Sequence, residues 1–152
     1  METDQSLTIR RATEDDSKDL HSFGLTQPEL QVSSQVEFMY ENELKNWIVN
    51  PGAVTFLAKE GDQIVGFCLG TTGDPDHCAD ASQACIVYLA VAEKWRRRSL
   101  ATNLFQRVMD ELKKNGVSYL YVWACPTSGM VDFCAKQGMI KGRTCVWMDM
   151  SI

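Results

Sequence analysis

The sequence contains no long run of apolar residues. No stretch approaches the roughly 20 apolar residues that a membrane-spanning helix needs. The first residues, Met1 to Ser6, are acidic and polar and have no apolar core of the kind found in a secretory leader. The sequence therefore predicts a protein outside the membrane, and the cytoplasm is its expected location.

Histidine is scarce, and the cysteines are scattered. His21 and His77 are the only histidines, and none of the six cysteines belongs to a C-x-x-C motif. Protein zinc sites are built from clustered Cys and His ligands, so no metal site is expected. Several cysteines lie inside apolar, strand-like runs, which predicts reduced and mostly buried thiols rather than disulfides.

Positive charge is in deficit. Fifteen Lys and Arg stand against twenty Asp and Glu, for a formal net charge of -5. This balance argues against nucleic acid or an anionic membrane as the main partner and favours a cationic substrate. Neither a Walker motif nor G-x-G-x-x-G is present, which argues against the common nucleotide-binding βα proteins.

Length and composition predict one domain, residues 1–152. With 152 residues, 45% of them hydrophobic and 23% charged, the chain can bury one core. The patterns predict an α/β fold of order β-α-α-β-β-β-α-β-α-β, a central mixed sheet flanked by helices. Strands are predicted at 7–11, 53–59, 63–70, 84–91, 118–124 and 143–150, helices at 13–23, 36–48, 99–114 and 127–137, and a surface loop at 71–83.

The strongest chemical signal follows the predicted strand at 84–91. This strand carries no charge at all and is therefore predicted to be central. Arg96, Arg97 and Arg98 follow it, and an amphipathic helix opens at Ser99. By itself a basic triplet is usually a solvated surface turn. Between a buried strand and a helix N-terminus, however, it indicates a pyrophosphate site, because unpaired backbone N–H groups and guanidinium groups both bind phosphate.

The stretch from Leu89 to Leu104 resembles motif A of the GNAT superfamily of acyl-CoA-dependent N-acyltransferases. The motif reads Gln/Arg-x-x-Gly-x-Gly/Ala, and Arg96, Ser99 and Ala101 occupy its marked positions. Ser99 replaces a glycine. A residue at a helix N-terminus is expected to need no glycine-only backbone conformation, so the site should tolerate serine. Similarity to the family continues at residues 9–13 and 64–66, and residues 130–139 resemble motif B.

The resemblance implies an N-acetyltransferase that uses acetyl-CoA as cosubstrate and a primary amine of a small molecule or protein as acceptor. The amine would attack the thioester directly, with the oxyanion held by backbone N–H near a bulge in the fourth strand. A homodimer is one possible assembly. The implied CoA-binding residues are Leu89, Ala90, Val91, Arg96, Arg97, Arg98, Ser99, Leu100, Ala101, Thr102 and Thr127.

The catalytic positions depart from the family pattern. Cys134 stands where the family commonly has the tyrosine that protonates the CoA thiolate, so its thiol is either that acid or a buried packing residue. Thr127 stands where members of the family often have an asparagine. Val122 stands where some members have a glutamate that acts as the base. Other candidate bases are Glu37, Glu41, Asp74, Asp76, His77, Tyr88 and Tyr121, and ordered water could also deprotonate the amine. These departures leave a second hypothesis open, a catalytically weak GNAT-fold protein that binds acyl-CoA or a protein partner without turnover.

Overall fold

The computed structural model of the chain describes residues 6–35, 38–72 and 81–152. These ranges contain five strands and four α-helices. The strands are β1 (Leu7–Arg11), β2 (Ala53–Glu60), β3 (Gln63–Thr72), β4 (Gln83–Val91) and β5 (Tyr119–Val122). The helices are α1 (Ser17–Leu25), α2 (Glu41–Val49), α3 (Leu100–Lys114) and α4 (Met130–Lys136).

The strands form one mixed sheet of order β1-β2-β3-β4-β5. The first four are antiparallel to their neighbours, and β5 runs parallel to β4. A parallel neighbour needs a long crossover connection, and α3 supplies it. The predicted mixed sheet flanked by helices is confirmed.

Each face of the sheet has its own apolar core. On one face, α3 packs an apolar stripe against the sheet. The stripe includes Leu104 and Val108, which are both fully buried. The opposite face packs Leu20 of α1 and Leu44 of α2 against Phe67 of β3. A large aliphatic side chain contributes about 1.5–3 kcal/mol when fully buried, so the helices are held mainly by these contacts.

A β-bulge interrupts β4. Ile86 pairs with Gly70 and Tyr88 pairs with Leu69, which leaves Val87 as an extra residue. An extra residue inverts the alternation of side chains along a strand. Even-numbered positions of β4 therefore pack on the α3 side before the bulge, and odd-numbered positions pack there after it.

The structure corrects three sequence predictions. The strand predicted at 143–150 is wrong, since residues 139–152 form neither strand nor helix. The second helix begins at Glu41 rather than near residue 36, and Val36 and Glu37 lie outside the described residues. The surface loop predicted at 71–83 is shorter at both ends, because Thr71 and Thr72 extend β3 and Gln83 begins β4.

No helix within the described ranges is both long and apolar enough to cross a bilayer.

Candidate active site

The site is built around a split between β4 and β5. The two strands pair only from Gln83 to Ile86 on β4, opposite Tyr119 to Val122 on β5. There β5 ends, whereas β4 continues to Val91. Beyond the bulge, the backbone edge of β4 is therefore no longer matched by the parallel strand.

Hydrogen-bond alternation shows which backbone groups face this split. The N–H of Ala92 donates to the carbonyl of Val65 on β3 at 2.8 Å. Positions two residues apart on an antiparallel strand face the same neighbour, so Ala90 also faces β3. Leu89 and Val91 face the opposite edge, toward the split. The family resemblance implies that Leu89, Ala90 and Val91 contact CoA. The backbone N–H and carbonyl groups of Leu89 and Val91 point toward the split, as such contacts require, whereas those of Ala90 point toward β3.

Arg96 and Arg98 already have protein partners. Nε of Arg96 donates to the carbonyl of Val91 at 3.0 Å, and Nη2 forms an ion pair of 2.7 Å with Glu29. The guanidinium carbon of Arg98 lies 5.5 Å from the ring centre of Trp95, a cation–π arrangement. These contacts fix the basic turn against the sheet edge, and they mean that Arg96 would divide its hydrogen bonds between the protein and a phosphate.

Ser99 does need the backbone conformation that glycine adopts most easily. It has φ 62° and ψ 6°, in the left-handed region, and Arg97 has φ 59°. The expectation that serine at this position needs no such conformation is therefore wrong. The reason is that Ser99 is the residue before the first helical turn, where the chain turns into α3. Residues with a Cβ pay roughly 1–2 kcal/mol for this conformation.

The same turn makes a cradle of backbone N–H groups. The sign of φ alternates, positive at Arg97 and Ser99 and negative at the residue after each, which is the pattern of an anion-binding nest. At the start of α3 no side chain caps the helix and the first turn contains no acidic residue. Within the described ranges, no acceptor is paired with the N–H groups of the first turn, those of Leu100, Ala101 and Thr102. Unpaired donors, the helix dipole and three arginines fit a CoA pyrophosphate.

Cys134 is buried on the inner side of α4. It is 8% exposed and shares its stripe with Met130 and Phe133, which pack against the core beneath α3. The ring of Phe133 meets that of Phe105 edge-on at 5.6 Å. Burial raises the pKa of the Cys134 thiol. The thiol is thus protonated at neutral pH, which suits both a proton donor and a packing residue.

A second thiol near α4 was missed by the sequence reasoning. Cys125 is exposed in the turn between β5 and α4, with its sulfur 3.1 Å from the hydroxyl of Thr127. Hydrogen bonds from that hydroxyl, and from the backbone N–H groups of Thr127 and Ser128, lower the pKa of Cys125. Thr127 therefore contacts a cysteine in this structure. The sequence signal was the Cys-Pro-Thr-Ser turn, in which successive small polar residues precede a helix.

Tyr88 lies in an aromatic cluster next to the bulge. Its ring is 5.0 Å from Phe38, which stacks on His21 with 5.8 Å between ring centres. Burial, and secondarily the charge of Glu43, raises the pKa of Tyr88. A phenol with a raised pKa keeps its proton, so Tyr88 is better suited to donate a proton than to accept one.

The remaining candidate bases differ in their exposure to solvent. Glu41 is exposed at the start of α2, whereas Tyr121 and Val122 are half-buried on β5. Glu37, Asp74, Asp76 and His77 lie outside the described residues.

Comparison with known proteins agrees with this geometry. The profile of the Acetyltransferase (GNAT) family matches residues 20–139. No curated protein sequence matches the chain. Among solved structures, an aminoglycoside acetyltransferase from an uncultured soil metagenomic sample, bound to trehalose, is similar with a TM-score of 0.70 and 19% identity, covering 99% of both chains.

Two further structures show the same fold. AAC(6')-Iy, in complex with the bisubstrate analog CoA-S-monomethyl-acetylneamine, has a TM-score of 0.72 and 11% identity, and the match covers 97% of this chain and 99% of that one. A GNAT-family acetyltransferase from Streptococcus pneumoniae has a TM-score of 0.72 and 16% identity, with 90% of this chain and 86% of that one covered. With the split sheet, the N–H cradle and the family match over residues 20–139, the chain belongs to the GNAT family of acetyltransferases.

Proposed function

We propose that this protein transfers the acetyl group of acetyl-CoA to a primary amine of a small molecule or protein, as a single domain of residues 1–152. The observation that carries the proposal is the cradle of N–H groups at the start of α3, at the end of the β4 segment that β5 does not follow. A parallel sheet edge followed by a helix N-terminus is a common place for phosphate groups to bind.

The residues of the cradle would hold the pyrophosphate of CoA. Their backbone N–H groups donate to the phosphate oxygens, and Arg97 and Arg98 add charge. When bound, acetyl-CoA supplies an activated acetyl group as a thioester. The N–H of Leu89 faces the split and can stabilise negative charge on an acyl oxygen there.

Two groups are available to handle protons. The protonated thiol of Cys134 is the proposed donor to the departing thiolate, and its raised pKa keeps the proton available at neutral pH. Ordered water is one proposed acceptor of the amine proton, because that route needs no dedicated base, and Glu41 and Tyr121 are alternatives among the described residues. The assignment of Cys134 rests on its place at the family's tyrosine position and can be tested by mutagenesis.

The acceptor is proposed to be a cationic amine. The chain has a net charge of -5, which raises the local concentration of cations. One of the similar structures is described as an aminoglycoside acetyltransferase, and AAC(6')-Iy is described in complex with a bisubstrate analog of CoA and acetylneamine. The cytoplasm remains the proposed location. It fits the free thiols Cys68, Cys85, Cys125, Cys134 and Cys145.

The decisive experiment is an assay of CoA release from acetyl-CoA with a panel of amines: aminoglycosides, polyamines and peptides with a free N-terminus. Amine-dependent CoA release, with the acetylated product seen by mass spectrometry, is the expected result. A rise in melting temperature with CoA but no turnover on any amine would favour the second hypothesis, a binding protein of the same fold. At 100 times Kd the ligand should add about 2.7 kcal/mol of stability, or roughly 5–10 °C in Tm.

The cradle can be tested with arginine variants. Arg96→Ala combined with Arg98→Ala should weaken CoA binding by about 10-fold or more, the effect of losing charge-assisted hydrogen bonds. Arg107→Ala is the matched control, because Arg107 is exposed on the same helix two turns beyond the cradle. Glu29→Gln isolates the ion pair of Arg96. If the double variant and the control bind CoA equally well, Arg96 and Arg98 do not contact the phosphates and the basic triplet is an ordinary solvated turn.

A further inference from the structure

Arg96 is held by an acidic residue from a distant part of the chain. Its Nη2 donates to Oε1 of Glu29 at 2.7 Å, and its Nε donates to the carbonyl of Val91 at 3.0 Å. Glu29 lies in a short 3-10 helix, Pro28–Leu30, in the connection between α1 and α2. The two contacts hold the guanidinium group at the end of β4. Its positive charge is therefore paired with a carboxylate before any phosphate reaches the basic turn.

A phosphate in the cradle and the carboxylate of Glu29 need the same cation. Arg96 directly precedes Arg97, where the cradle of N–H groups begins. A guanidinium group has five N–H donors, but two anions that bind it at once repel each other. The second contact of Arg96 also occupies the carbonyl of Val91, one of the β4 groups that face the split. A ligand that fills the cradle and the split therefore competes with both contacts.

The helix that carries Glu29 has an apolar anchor and an unsatisfied polar neighbour. Leu30 is buried and packs in the core between α1, α2 and the sheet. Gln27, the residue before the helix, is 8% exposed, and within the described ranges its Oε1 has no hydrogen-bond partner. A buried acceptor without a donor destabilises the conformation that buries it. Movement of this helix away from the basic turn lets water reach that oxygen, which lowers the cost of breaking the Glu29–Arg96 pair.

We propose that Glu29 lowers the affinity of the cradle for CoA: its carboxylate holds Arg96 against β4 in the free protein, and the pyrophosphate of CoA displaces it. This inference rests on the proposed function, because it needs CoA phosphates in the cradle. The accessible fraction is 46% for the Arg96 side chain and 28% for that of Glu29, so water screens the pair. Loss of such a pair corresponds to a change of about 2- to 5-fold in affinity.

Displacement of Glu29 also releases the 3-10 helix from the basic turn. Three backbone hydrogen bonds there, donated by the N–H groups of Gln27, Leu30 and Gln31, protect these amides from exchange with solvent. CoA should therefore speed amide exchange in residues 27–31 while it slows exchange at the start of α3. Opposite changes in the two segments distinguish the displacement of Glu29 from a general stabilisation of the fold by a bound ligand.

The test is calorimetric titration of CoA into the wild-type protein, Glu29→Gln and Glu93→Gln. Glu29→Gln should bind CoA about 2- to 5-fold more tightly, because the competing carboxylate is gone. Glu93→Gln is the matched control. It removes the same charge close to Arg96 in the sequence, from an exposed side chain without an ion pair in the described part of the chain. Because solvent and salt screen this charge, the control should change the affinity by less than about 2-fold.

Hydrogen exchange followed by mass spectrometry, with and without CoA, measures residues 27–31 in the same samples. In Glu29→Gln these amides should exchange quickly even without CoA. Circular dichroism and Tm check that each variant is folded, and Glu29→Ala replaces Glu29→Gln if the latter does not fold.

The inference is overturned if Glu29→Gln binds CoA no more tightly than Glu93→Gln, or if CoA slows exchange at residues 27–31 in the wild type. Weaker binding by Glu29→Gln would also overturn it, and would mean that Glu29 positions Arg96 for the phosphate. These results leave CoA binding by the wild type intact. If the wild type itself binds no CoA, the proposed function fails and this inference fails with it.

Discussion

Replacing Ser99 by glycine should stabilise this protein, although the change removes a side chain. Ser99 has φ 62°, and the left-handed conformation costs a residue with a Cβ roughly 1–2 kcal/mol. Glycine avoids this cost but loses about 0.5–1 kcal/mol through the greater freedom of the unfolded chain. Ser99 is exposed and its side chain makes no cap hydrogen bond, so little else is lost.

The net gain is about 0.5–1 kcal/mol, which corresponds to a rise in Tm of about 1–4 °C for a chain of this size. Equilibrium unfolding in urea, followed by circular dichroism, gives the same difference as a shift in midpoint at unchanged slope. CoA affinity should be preserved, because the donors of the cradle are backbone groups.

Two controls separate the backbone effect from the loss of the side chain. Thr102→Gly makes a glycine inside the first turn of α3, at an ordinary helical position, and should lower stability by a few tenths of a kcal/mol. Ser99→Ala keeps the left-handed conformation and a Cβ, so its stability should stay within about 0.5 kcal/mol of wild type. If Ser99→Gly melts below wild type while Ser99→Ala does not, the conformation at this turn is not strained and the reasoning fails.

Three further predictions concern the sheet and α4. The Arg10 guanidinium, bonded to both carboxylate oxygens of Asp16 at 2.7 Å, holds the pKa of that carboxyl at about 2 against an ordinary 3.8. Because the pKa is lower in the folded state than in the unfolded state, the ionised carboxylate contributes about 2 kcal/mol of stability above about pH 4, and this contribution is lost as the pH falls toward 2. The difference in unfolding free energy between wild type and Asp16→Asn, measured in urea, should therefore shrink between about pH 4 and about pH 2. Gly70→Ala should lower the free energy of unfolding by about 1–3 kcal/mol, because the new Cβ would lie 2.8 Å from Val108, and an unchanged urea midpoint would contradict this. Cys134→Ala should slow single-turnover acetyl transfer by about 100-fold with little change in acetyl-CoA affinity, whereas a lower Tm with a normal rate would make this cysteine a packing residue only.

Much of the fold followed from local patterns. The uncharged run that became β4 and the apolar spacing that became α3 predicted both elements within one residue, because a central strand and an amphipathic helix each bury side chains at a fixed period. The basic turn between them was identified in the same way. Its order, strand then arginines then helix, is a property of adjacent residues.

The details of the candidate site depended on distant parts of the chain. Arg96 was assigned to phosphate, and only the folded chain shows that it also pairs with Glu29, 67 residues away. The burial of Cys134 and the cluster around Tyr88 likewise depend on which helix lies over which strand. No local pattern contains this information.

The bulge in β4 and the C-terminal segment show most clearly why local sequence patterns do not determine the site. The residues of β4 determined that it is a buried strand, but its register against β3 determined that Val87 is extra and that Leu89 and Val91 face the split. Residues 143–150 have a strand-like alternation, yet a strand exists only where a neighbour accepts its backbone hydrogen bonds. The sequence by itself determined which segments can be strands and helices and where the basic turn proposed to bind phosphate lies. The tertiary structure decided which strands find a partner, and so where β4 and β5 separate.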